Sequence, residues 1–140
     1  MKIKITNCQN NKLFISDIGA TIINDGSDYG HFAWAALSHE KVVKNSIVAL
    51  DVEETTERIV GVIIIDEGDL YIDMSLAYVI TQYRQKGIFK LMFERVKNYA
   101  KKVNKVIRFY CNKTLCETYK KCGCEMSDDL VVMTVHPQNY

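Results

Sequence analysis

The sequence lacks any long hydrophobic run. The longest nearly continuous apolar stretch, Ile59 to Ile65, is far shorter than the roughly 20 residues that a membrane-spanning helix needs. The first residues, Met-Lys-Ile-Lys-Ile-Thr, contain no apolar segment of the kind found in a secretion signal. We therefore expect a cytoplasmic protein with no membrane partner.

The sequence also has almost no net charge, because 18 lysines and arginines oppose 17 acidic residues. The charges are unevenly distributed, however. Eight acids and one base lie between Asp51 and Asp73, whereas twelve bases and two acids lie between Arg84 and Lys121. The near-zero net charge and the lack of aromatics among the basic residues predict no nucleic-acid partner, and we keep nucleic-acid binding only as a minor alternative.

Five cysteines are too irregularly spaced to predict a disulfide framework or a metal site. Their number is odd and no secretion signal precedes them, so we expect reduced thiols. Cys111, Cys116, Cys122 and Cys124 cluster, but their spacing fits no zinc-binding pattern. We predict no metal and interpret the cysteines as small buried hydrophobic residues.

No linker, internal repeat or low-complexity segment divides the 140 residues. A chain of this length buries roughly two-thirds of its unfolded surface as one domain, without help from disulfides or metals. Hydrophobic residues make up 48% and charged residues 25%, as in ordinary soluble globular proteins. We predict a single domain over residues 1–140.

Hydrophobic periodicity predicts the elements of the first half. Residues 1–6 alternate between apolar and polar, as in a strand. Helices are predicted over residues 12–23, ending at the turn Asn24-Asp25-Gly26-Ser27, and from Asp28 to about Lys44, where Trp34 either lines a groove or packs. Three β-prone runs at 46–52, 59–66 and 70–80, separated by polar turns, predict an antiparallel meander.

In the second half, Ile88 to about Val103 has apolar residues at helical spacing on one face and lysines on the other. A short strand is predicted at 106–111. Thr114 and Glu117 form a capping-box pattern at the start of a further helix, and Gly123 is a typical helix stop. A last hairpin is predicted to pair residues 124–126 with 130–135.

The predicted order of elements is therefore β-α-α-β-β-β-α-β-α-β-β. We predict an α/β (α+β) fold with a mixed, mostly antiparallel central sheet flanked by helices.

The loop between the third meander strand and the helix at Ile88 has the features of an anion site. The first turn of a helix leaves backbone N–H groups without partners and adds partial positive charge. Arg84 and Lys86 add full charges, and Gly87 has no Cβ to hold an anion away from the backbone. These features predict a cradle for a phosphate or pyrophosphate group.

The pattern Arg84-x-x-Gly87-x-Phe89 resembles the (Gln/Arg)-x-x-Gly-x-(Gly/Ala) motif of the GNAT superfamily of N-acetyltransferases, with Phe89 replacing a small residue. The predicted order of elements is also that of the GNAT fold. The resemblance implies that acetyl-CoA is the co-substrate and that this loop holds its pyrophosphate. The cofactor-binding residues that it implies are Ala77, Tyr78 and Val79, through backbone groups, with Arg84, Gln85, Lys86, Gly87, Ile88, Phe89, Lys90 and Asn112.

A second segment, Asn112-x3-Cys116-x2-Tyr119-x3-Gly123, resembles the Asn-x3-Ala-x2-(Leu)Tyr-x3-Gly-Phe segment of the same superfamily, with Cys116 and Cys124 as departures. In that family the tyrosine stands near the sulfur of CoA as general acid. The resemblance makes Tyr119 the first catalytic candidate. The alternative is a tyrosine that only anchors its helix on the sheet.

Acetylation of an amine also requires the amine to lose a proton, since a lysine-like amine with a pKa of about 10.4 is mostly protonated at neutral pH. Asp73 lies eleven residues before Arg84, an offset at which histone-acetylating relatives have a carboxylate. A carboxyl on an apolar strand suits proton abstraction when burial raises its pKa. Asp73 is therefore the second catalytic candidate. The alternatives are a solvated strand residue, a water relay, or the weaker candidates Glu67 and Tyr71.

The resemblance thus implies an acetyl-CoA-dependent N-acetyltransferase that acts by direct transfer in a ternary complex, without a metal or a covalent enzyme intermediate. The acceptor is expected to be a primary amine of a small molecule or protein, and the acidic residues 51–73 favour a cationic one. The alternative is a catalytically inactive acyl-CoA-binding regulatory module. The sequence leaves the oligomeric state open between a monomer and a homodimer.

Overall fold

The computed structural model describes residues 1–53, 55–127, 133 and 136–139. The chain divides into two compact units, Met1–Tyr110 and Cys111–Tyr140. The predicted single domain over residues 1–140 stays a prediction. Within the described ranges, no helix is long and apolar enough to cross a membrane.

The first unit contains five strands, four α-helices and one 3-10 turn. In chain order they are β1 (Ile3–Asn7), α1 (Lys12–Asn24), α2 (Tyr29–Ala36), α3 (Glu40–Asn45), β2 (Ile47–Asp51), β3 (Arg58–Glu67), β4 (Tyr71–Val79), the turn Thr81–Tyr83, α4 (Ile88–Val103) and β5 (Val106–Arg108).

The five strands form one sheet in the order β1-β2-β3-β4-β5. Strands β1 to β4 pair antiparallel with their sequence neighbours, and β5 pairs in parallel with β4. In the central strand β3, residues 60–65 are all buried, because both faces of the sheet are covered. The predicted α/β class and the mixed, mostly antiparallel sheet are confirmed.

Helices cover both faces because successive side chains of a strand point to opposite sides. Val62 and Ile64 of β3 belong to a buried cluster that includes Ile18 of α1 and side chains of α2 and α3. Gly61 faces the other way, where an added Cβ would lie 3.0 Å from the Met92 side chain of α4. Helix α4 therefore covers the face opposite α1, α2 and α3.

Gly19 lies in the middle of α1, although a glycine in a helix interior costs about 1 kcal/mol relative to alanine. The packing explains it, because a Cβ at Gly19 would lie 2.0 Å from the indole of Trp34. The indole Nε1 donates to the carbonyl of Ser16 at 3.0 Å. Trp34 thus packs α2 against α1. Of the two roles predicted for this residue, lining a groove or packing, the structure shows packing.

The prediction of one continuous helix from Asp28 to about Lys44 was wrong, because the structure has two helices in this segment. Helix α2 ends at Ala36 and α3 begins at Glu40. Between them, the Ser38 hydroxyl donates to the Ala35 carbonyl at 2.6 Å and His39 is extended. A serine that bonds to nearby backbone competes with helix continuation, and the chain turns here.

The second unit contains the 3-10 turn Lys113–Leu115, α5 (Cys116–Lys121) and the 3-10 turn Pro137–Asn139. The predicted capping box was wrong, since α5 begins without a side-chain cap and Glu117 instead pairs with Lys120 at 3.3 Å. Gly123 has φ of 90°, as expected of a helix stop. The strand predicted at 130–135 lies, except for Met133, outside the described residues.

Ser46 is a fully buried polar residue that joins α3 to the sheet. Its hydroxyl donates to the Val42 carbonyl at 2.7 Å and accepts from the Ile65 N–H at 3.1 Å. We predict that Ser46→Ala lowers the free energy of unfolding by about 1–3 kcal/mol, because a buried backbone N–H loses its acceptor. Chemical denaturation measures this change.

The matched control is Ser38→Ala, which removes an exposed hydroxyl that donates to a helix carbonyl. We expect this variant to stay within about 0.5 kcal/mol of the parent protein. Equal losses of unfolding free energy in the two variants would contradict the stabilising role of the buried Ser46 hydroxyl.

Candidate active site

Strands β4 and β5 separate soon after they begin to pair. Their parallel pairing is limited to residues 71–73 and 106–108. On the other side of β4, the register with β3 shifts between Met74 and Leu76, which leaves Ser75 as the extra residue of a β-bulge. A bulge bends its strand and increases the twist. β4 therefore diverges from β5 beyond Asp73, and no described strand pairs with the outer edge of residues 74–79.

Ladder geometry decides which backbone groups face this open edge. The N–H of Ile80 donates to the Val60 carbonyl of β3 at 3.0 Å, and residues of an antiparallel pair alternate between facing the partner and facing away. Tyr78 therefore faces β3, whereas Ala77 and Val79 direct their N–H and C=O groups to the open edge. The predicted backbone contacts of Ala77, Tyr78 and Val79 with a cofactor stay predictions, and of the three only Tyr78 has its backbone groups on the β3 side.

The segment between β4 and α4, residues 80–87, is the cradle loop. It begins with the 3-10 turn, and then Gln85 and Gly87 adopt left-handed conformations, with φ of 62° and 81°. A glutamine with positive φ is uncommon, and such backbone strain concentrates at functional sites. An added Cβ on Gly87 would meet no atom of the described chain within 4 Å. The space in front of this glycine is open.

Helix α4 starts directly after Gly87 and has no side-chain cap. The N–H groups of its first turn therefore have no intrahelical acceptor, and the helix dipole adds partial positive charge to them. Left-handed residues alternating with others turn successive N–H groups to one side and form a concave anion site. The backbone around Gly87 is thus shaped to bind an anion.

Two cationic side chains of the cradle loop contact aromatic rings. The Arg84 Nε donates to the Val79 carbonyl at 2.8 Å, and its guanidinium carbon lies 5.3 Å from the ring centroid of Tyr78. The Lys86 Nζ lies 5.8 Å from the ring centroid of Tyr83. Arg84 therefore braces the loop against β4, while Lys86 places a positive charge at its exposed surface.

The first turn of α4 fixes the end of the loop. Ile88 is buried in the core, and Lys90 is exposed beside the loop. Phe89, which replaces the small residue of the GNAT motif, stacks on Phe93 with 5.4 Å between ring centroids. Its aromatic ring thus packs along the helix.

Asp25 carries a role that the sequence patterns do not indicate, since they place it only in a helix-ending turn. The Asp25 carboxylate accepts hydrogen bonds from the Tyr78 hydroxyl at 2.7 Å and from the N–H and hydroxyl of Thr81, both at 3.0 Å. It also lies 3.9 Å from the Arg84 guanidinium. These partners are more than 50 residues away in the chain, so no local pattern could reveal them.

Asp73 is held in an ion pair, and this geometry does not support its predicted role as a base. Arg108 donates to both carboxylate oxygens, at 2.8 and 3.2 Å. The hydrogen bond that Arg108 donates to Asp73 raises the pKa of Arg108. The predicted role depended on apolar burial, but the Asp73 side chain is 42% exposed. The ion pair links β4 to β5 at the last residues that pair before the two strands diverge.

The two weaker candidates for the base are also engaged. Glu67 accepts from the Lys105 ammonium at 2.6 Å and from the Tyr99 hydroxyl, and these bonds lower the pKa of Glu67. The Tyr71 ring lies 4.0 Å from the guanidinium carbon of Arg108. The lowered pKa of Glu67 makes it a weak proton acceptor near neutral pH.

In the second unit, Tyr119 is half-buried on α5. Burial raises the pKa of Tyr119, and the thiols of Cys111, Cys124 and Cys122 act in the same direction. The hydroxyl is therefore protonated at neutral pH, which is the form that a proton donor needs. Asn112 precedes the 3-10 turn, where its carbonyl accepts from the Leu115 N–H at 2.9 Å and its side chain is exposed.

Each of the five cysteines is present as a thiol. Cys8 is buried, which raises the pKa of its thiol to about 11, but Cys111 is exposed and the other three are half-buried. The prediction of buried cysteines was therefore wrong for the cluster. Among the residues that the structure describes, no group of three or more His, Cys, Asp or Glu side chains could hold a metal ion.

The acidic residues 51–73 do not form one surface. They occupy the two ends of β3, which are roughly 30 Å apart at 3.3 Å per residue. At the first end lies a cavity of about 680 Å³, bordered by Tyr83 of the cradle loop, whose hydroxyl donates to Asp51 at 2.6 Å. The carboxylates that line it are Asp17, Asp51, Glu53 and Glu57.

Comparison with known proteins is informative at the level of structure. A scan against protein-family models and a search of curated proteins give no match. A probable acetyltransferase from meticillin-resistant Staphylococcus aureus is 17% identical, with a TM-score of 0.70 over 96% of this chain and 99% of that one. A GNAT-family acetyltransferase from Streptococcus pneumoniae is also 17% identical, with a TM-score of 0.67 over 97% and 98%.

A predicted acetyltransferase from Clostridium acetobutylicum, solved with acetyl-CoA, is 18% identical, with a TM-score of 0.62 over 95% of both chains. The similarity in all three comparisons extends over nearly the whole length of both chains. The chain has the fold of the GNAT superfamily of acetyltransferases, and the resemblance read from the two sequence motifs is confirmed for the fold.

Proposed function

We propose that this protein is an N-acetyltransferase that transfers an acetyl group from acetyl-CoA to a primary amine in a ternary complex. One observation carries the proposal. The cradle loop, with its left-handed Gln85 and Gly87 and the uncapped start of α4, directly follows a strand whose outer edge is open. An anion site next to an open strand edge suits a ligand that has a pyrophosphate and an extended amide-containing arm.

The residues present fit acetyl-CoA. The N–H groups around Gly87 and at the start of α4 would hold the pyrophosphate, with Lys86 and Lys90 adding charge at the surface of the loop. Ala77, through its N–H and C=O, and Val79, through its N–H, would pair with the pantetheine arm, much as an added strand would. Arg84 would keep the loop in place through its bond to the Val79 carbonyl. Asn112 is assigned to cofactor binding on the sequence resemblance.

Acetyl-CoA supplies a thioester, and the transfer breaks its C–S bond as the amine nitrogen forms a C–N bond. The amine loses one proton and the departing thiolate gains one. We assign the proton donor to Tyr119, whose raised pKa keeps its hydroxyl protonated. Because Asp73, Glu67 and Tyr71 are all engaged, we assign proton removal from the amine to water rather than to a carboxylate.

We propose a cationic acceptor, such as a polyamine, an aminosugar or a protein lysine. The support is electrostatic and comes from the cavity beside the cradle loop, where Asp17, Asp51, Glu53 and Glu57 outnumber Arg58. Pairing weakens part of the acidic charge, since Glu53 is paired with the N-terminal ammonium and, at the far end of β3, Glu67 and Asp73 are paired with Lys105 and Arg108.

The ion pair of Asp73 favours a second candidate function. A protein that binds acyl-CoA but holds its candidate base in an ion pair could serve as a regulatory module without turnover. The two functions differ in one observable, which is the release of free CoA in the presence of an amine.

Calorimetric titration with acetyl-CoA, with free CoA as comparison, tests the first step. We expect binding in the micromolar range, because the cradle offers both backbone donors and positive charge. An enzyme then releases CoA when a polyamine, an aminosugar or a lysine peptide is added, whereas the regulatory module does not. No binding up to about millimolar acetyl-CoA would contradict both functions.

We predict that Gly87→Asp abolishes acetyl-CoA binding, with a loss of at least about a hundredfold in affinity. Two like charges 4 Å apart repel by about 4 kcal/mol at an effective dielectric constant of 20. The matched control is Gly87→Asn, since asparagine is nearly the same size, tolerates a left-handed conformation and is neutral. Calorimetry on both variants should show a far smaller loss for Asn, and equal affinities in the two would refute the anion cradle.

We predict that Tyr119→Phe lowers turnover by about a hundredfold and leaves acetyl-CoA affinity unchanged, because only the proton donor is removed. Tyr110→Phe is the control, since Tyr110 is 78% exposed. Steady-state CoA release at saturating acetyl-CoA measures the effect. Full turnover in Tyr119→Phe would remove this residue from the mechanism.

A further inference from the structure

The Asp25 carboxylate, which accepts several hydrogen bonds from the cradle loop and β4, is located at the C-terminal end of α1. Asp25 directly follows the last residue of α1, and its own N–H donates to the Thr21 carbonyl at 3.1 Å. The next residue, Gly26, has φ of 94° and turns the chain away from the helix axis. The position of the carboxylate is therefore set by α1, which is anchored in the core by Ile18 and Ile22.

The contacts of Asp25 all lie where β4 passes into the cradle loop. The Tyr78 hydroxyl donates to Oδ2 at 2.7 Å, and the Thr81 hydroxyl donates to the same oxygen at 3.0 Å. The Thr81 N–H donates to both carboxylate oxygens, at 3.0 and 3.2 Å. Arg84 adds an ion pair at 3.9 Å. One carboxylate thus holds three residues within a seven-residue stretch.

Arg84 connects this cluster to the open strand edge. Its Nε donates to the Val79 carbonyl at 2.8 Å while its guanidinium lies over the Tyr78 ring and near Asp25. A change at Asp25 therefore reaches Val79, which offers backbone groups to the open edge, and the loop segment that leads to Gly87.

The cluster is maintained at neutral pH. Burial raises the pKa of Asp25, but the hydrogen bonds from Tyr78 and Thr81 and the charge of Arg84 outweigh it, so the pKa is lowered from its ordinary value of 3.8. Burial and the bond to Asp25 raise the pKa of Tyr78, which keeps its hydroxyl a donor. The stabilisation by Asp25 is present above pH 3.8 and is lost only as the pH falls through the lowered pKa.

We propose that Asp25 is the positioning residue of the cradle loop, which it fixes in its cofactor-binding conformation before the cofactor arrives. This proposal rests on the proposed function of the same loop. A loop that is already ordered loses less conformational entropy on binding, so its affinity is higher than that of the same loop when mobile. Asp25 itself touches neither the anion site at Gly87 nor the first turn of α4 in this arrangement.

The experiment compares Asp25→Ala and Asp25→Asn with the matched control Asp28→Ala. Asp28 lies three residues further along the chain, is exposed and makes no side-chain capping bond. Asp28→Ala therefore changes the net charge by the same amount as Asp25→Ala without removing a bond to the cradle loop. Amide hydrogen exchange is measured without ligand, and acetyl-CoA affinity, KM and kcat are measured with it.

In Asp25→Ala we expect at least tenfold faster exchange of the Thr81 amide, while the Ile80 amide, which bonds to Val60 of β3, keeps its protection. We expect acetyl-CoA affinity to fall about tenfold, with a matching rise in KM and with kcat within twofold of the parent. Asp25→Asn retains an oxygen acceptor for Tyr78 and Thr81 and should be intermediate. Asp28→Ala should match the parent protein in every measurement.

Unchanged Thr81 exchange and unchanged affinity in both Asp25 variants would overturn the assignment. So would an equal fall of kcat and affinity, since that result indicates general destabilisation instead of loop positioning. Asp25→Asn keeps the test valid if Asp25→Ala does not fold. If Thr81 exchange is faster in Asp25→Ala but the parent protein binds no acetyl-CoA, the proposed function is overturned. The two failures can be told apart because amide exchange is measured without the cofactor.

Discussion

Backbone N–H and C=O groups that leave the regular ladder must bond to something else, and this requirement organises the first unit. β4 loses its parallel partner after Asp73, because the bulge at Ser75 bends the strand away from β5. A few residues later, the first turn of α4 leaves a second set of N–H groups without intrahelical acceptors. The cradle loop connects these two sets of backbone groups, which have no described partner strand and no intrahelical acceptor, respectively.

The proposed binding would need little from individual side chains. Gly87 would contribute a conformation, and Ala77 and Val79 would contribute backbone groups. Other side chains, which lie away from Gly87, set the shape of the backbone around it. Asp25 does so from the end of α1, and the Asp73–Arg108 pair does so where β4 and β5 diverge. The helices on one face of the sheet therefore influence a loop that they do not form.

The features that could be predicted from the sequence are those encoded locally. Helix α4 has the predicted first and last residues because its apolar positions recur at helical spacing, and the three meander strands are bounded by polar turns. The cradle loop was predictable because Gly87 follows a strand and precedes a helix. The shape of the backbone at Gln85 was not, since a left-handed glutamine has no sequence signature.

The remaining features depend on contacts between distant residues. The break between α2 and α3 lies where the Ser38 hydroxyl bonds to the Ala35 carbonyl and His39 is extended, although the apolar pattern continues through it. Asp73 looked like a base on a strand, but Arg108, on a different strand, engages both of its oxygens. Asp25 looked like a turn residue, and its partners at positions 78, 81 and 84 are brought to it only by the packing of α1 on the sheet.

The open edge of β4 also bears on how the protein avoids aggregation. An exposed strand edge is a template for a strand from another chain, and proteins protect such edges with bulges and charged side chains. Here the bulge at Ser75 interrupts the edge near its start, and charged residues stand at both ends, Asp73 with Arg108 at one and Arg84 on the Val79 carbonyl at the other. An incoming strand would have to break the Arg84 bond and match an irregular register. The edge is thus open to a thin, flexible ligand and unfavourable for a second polypeptide.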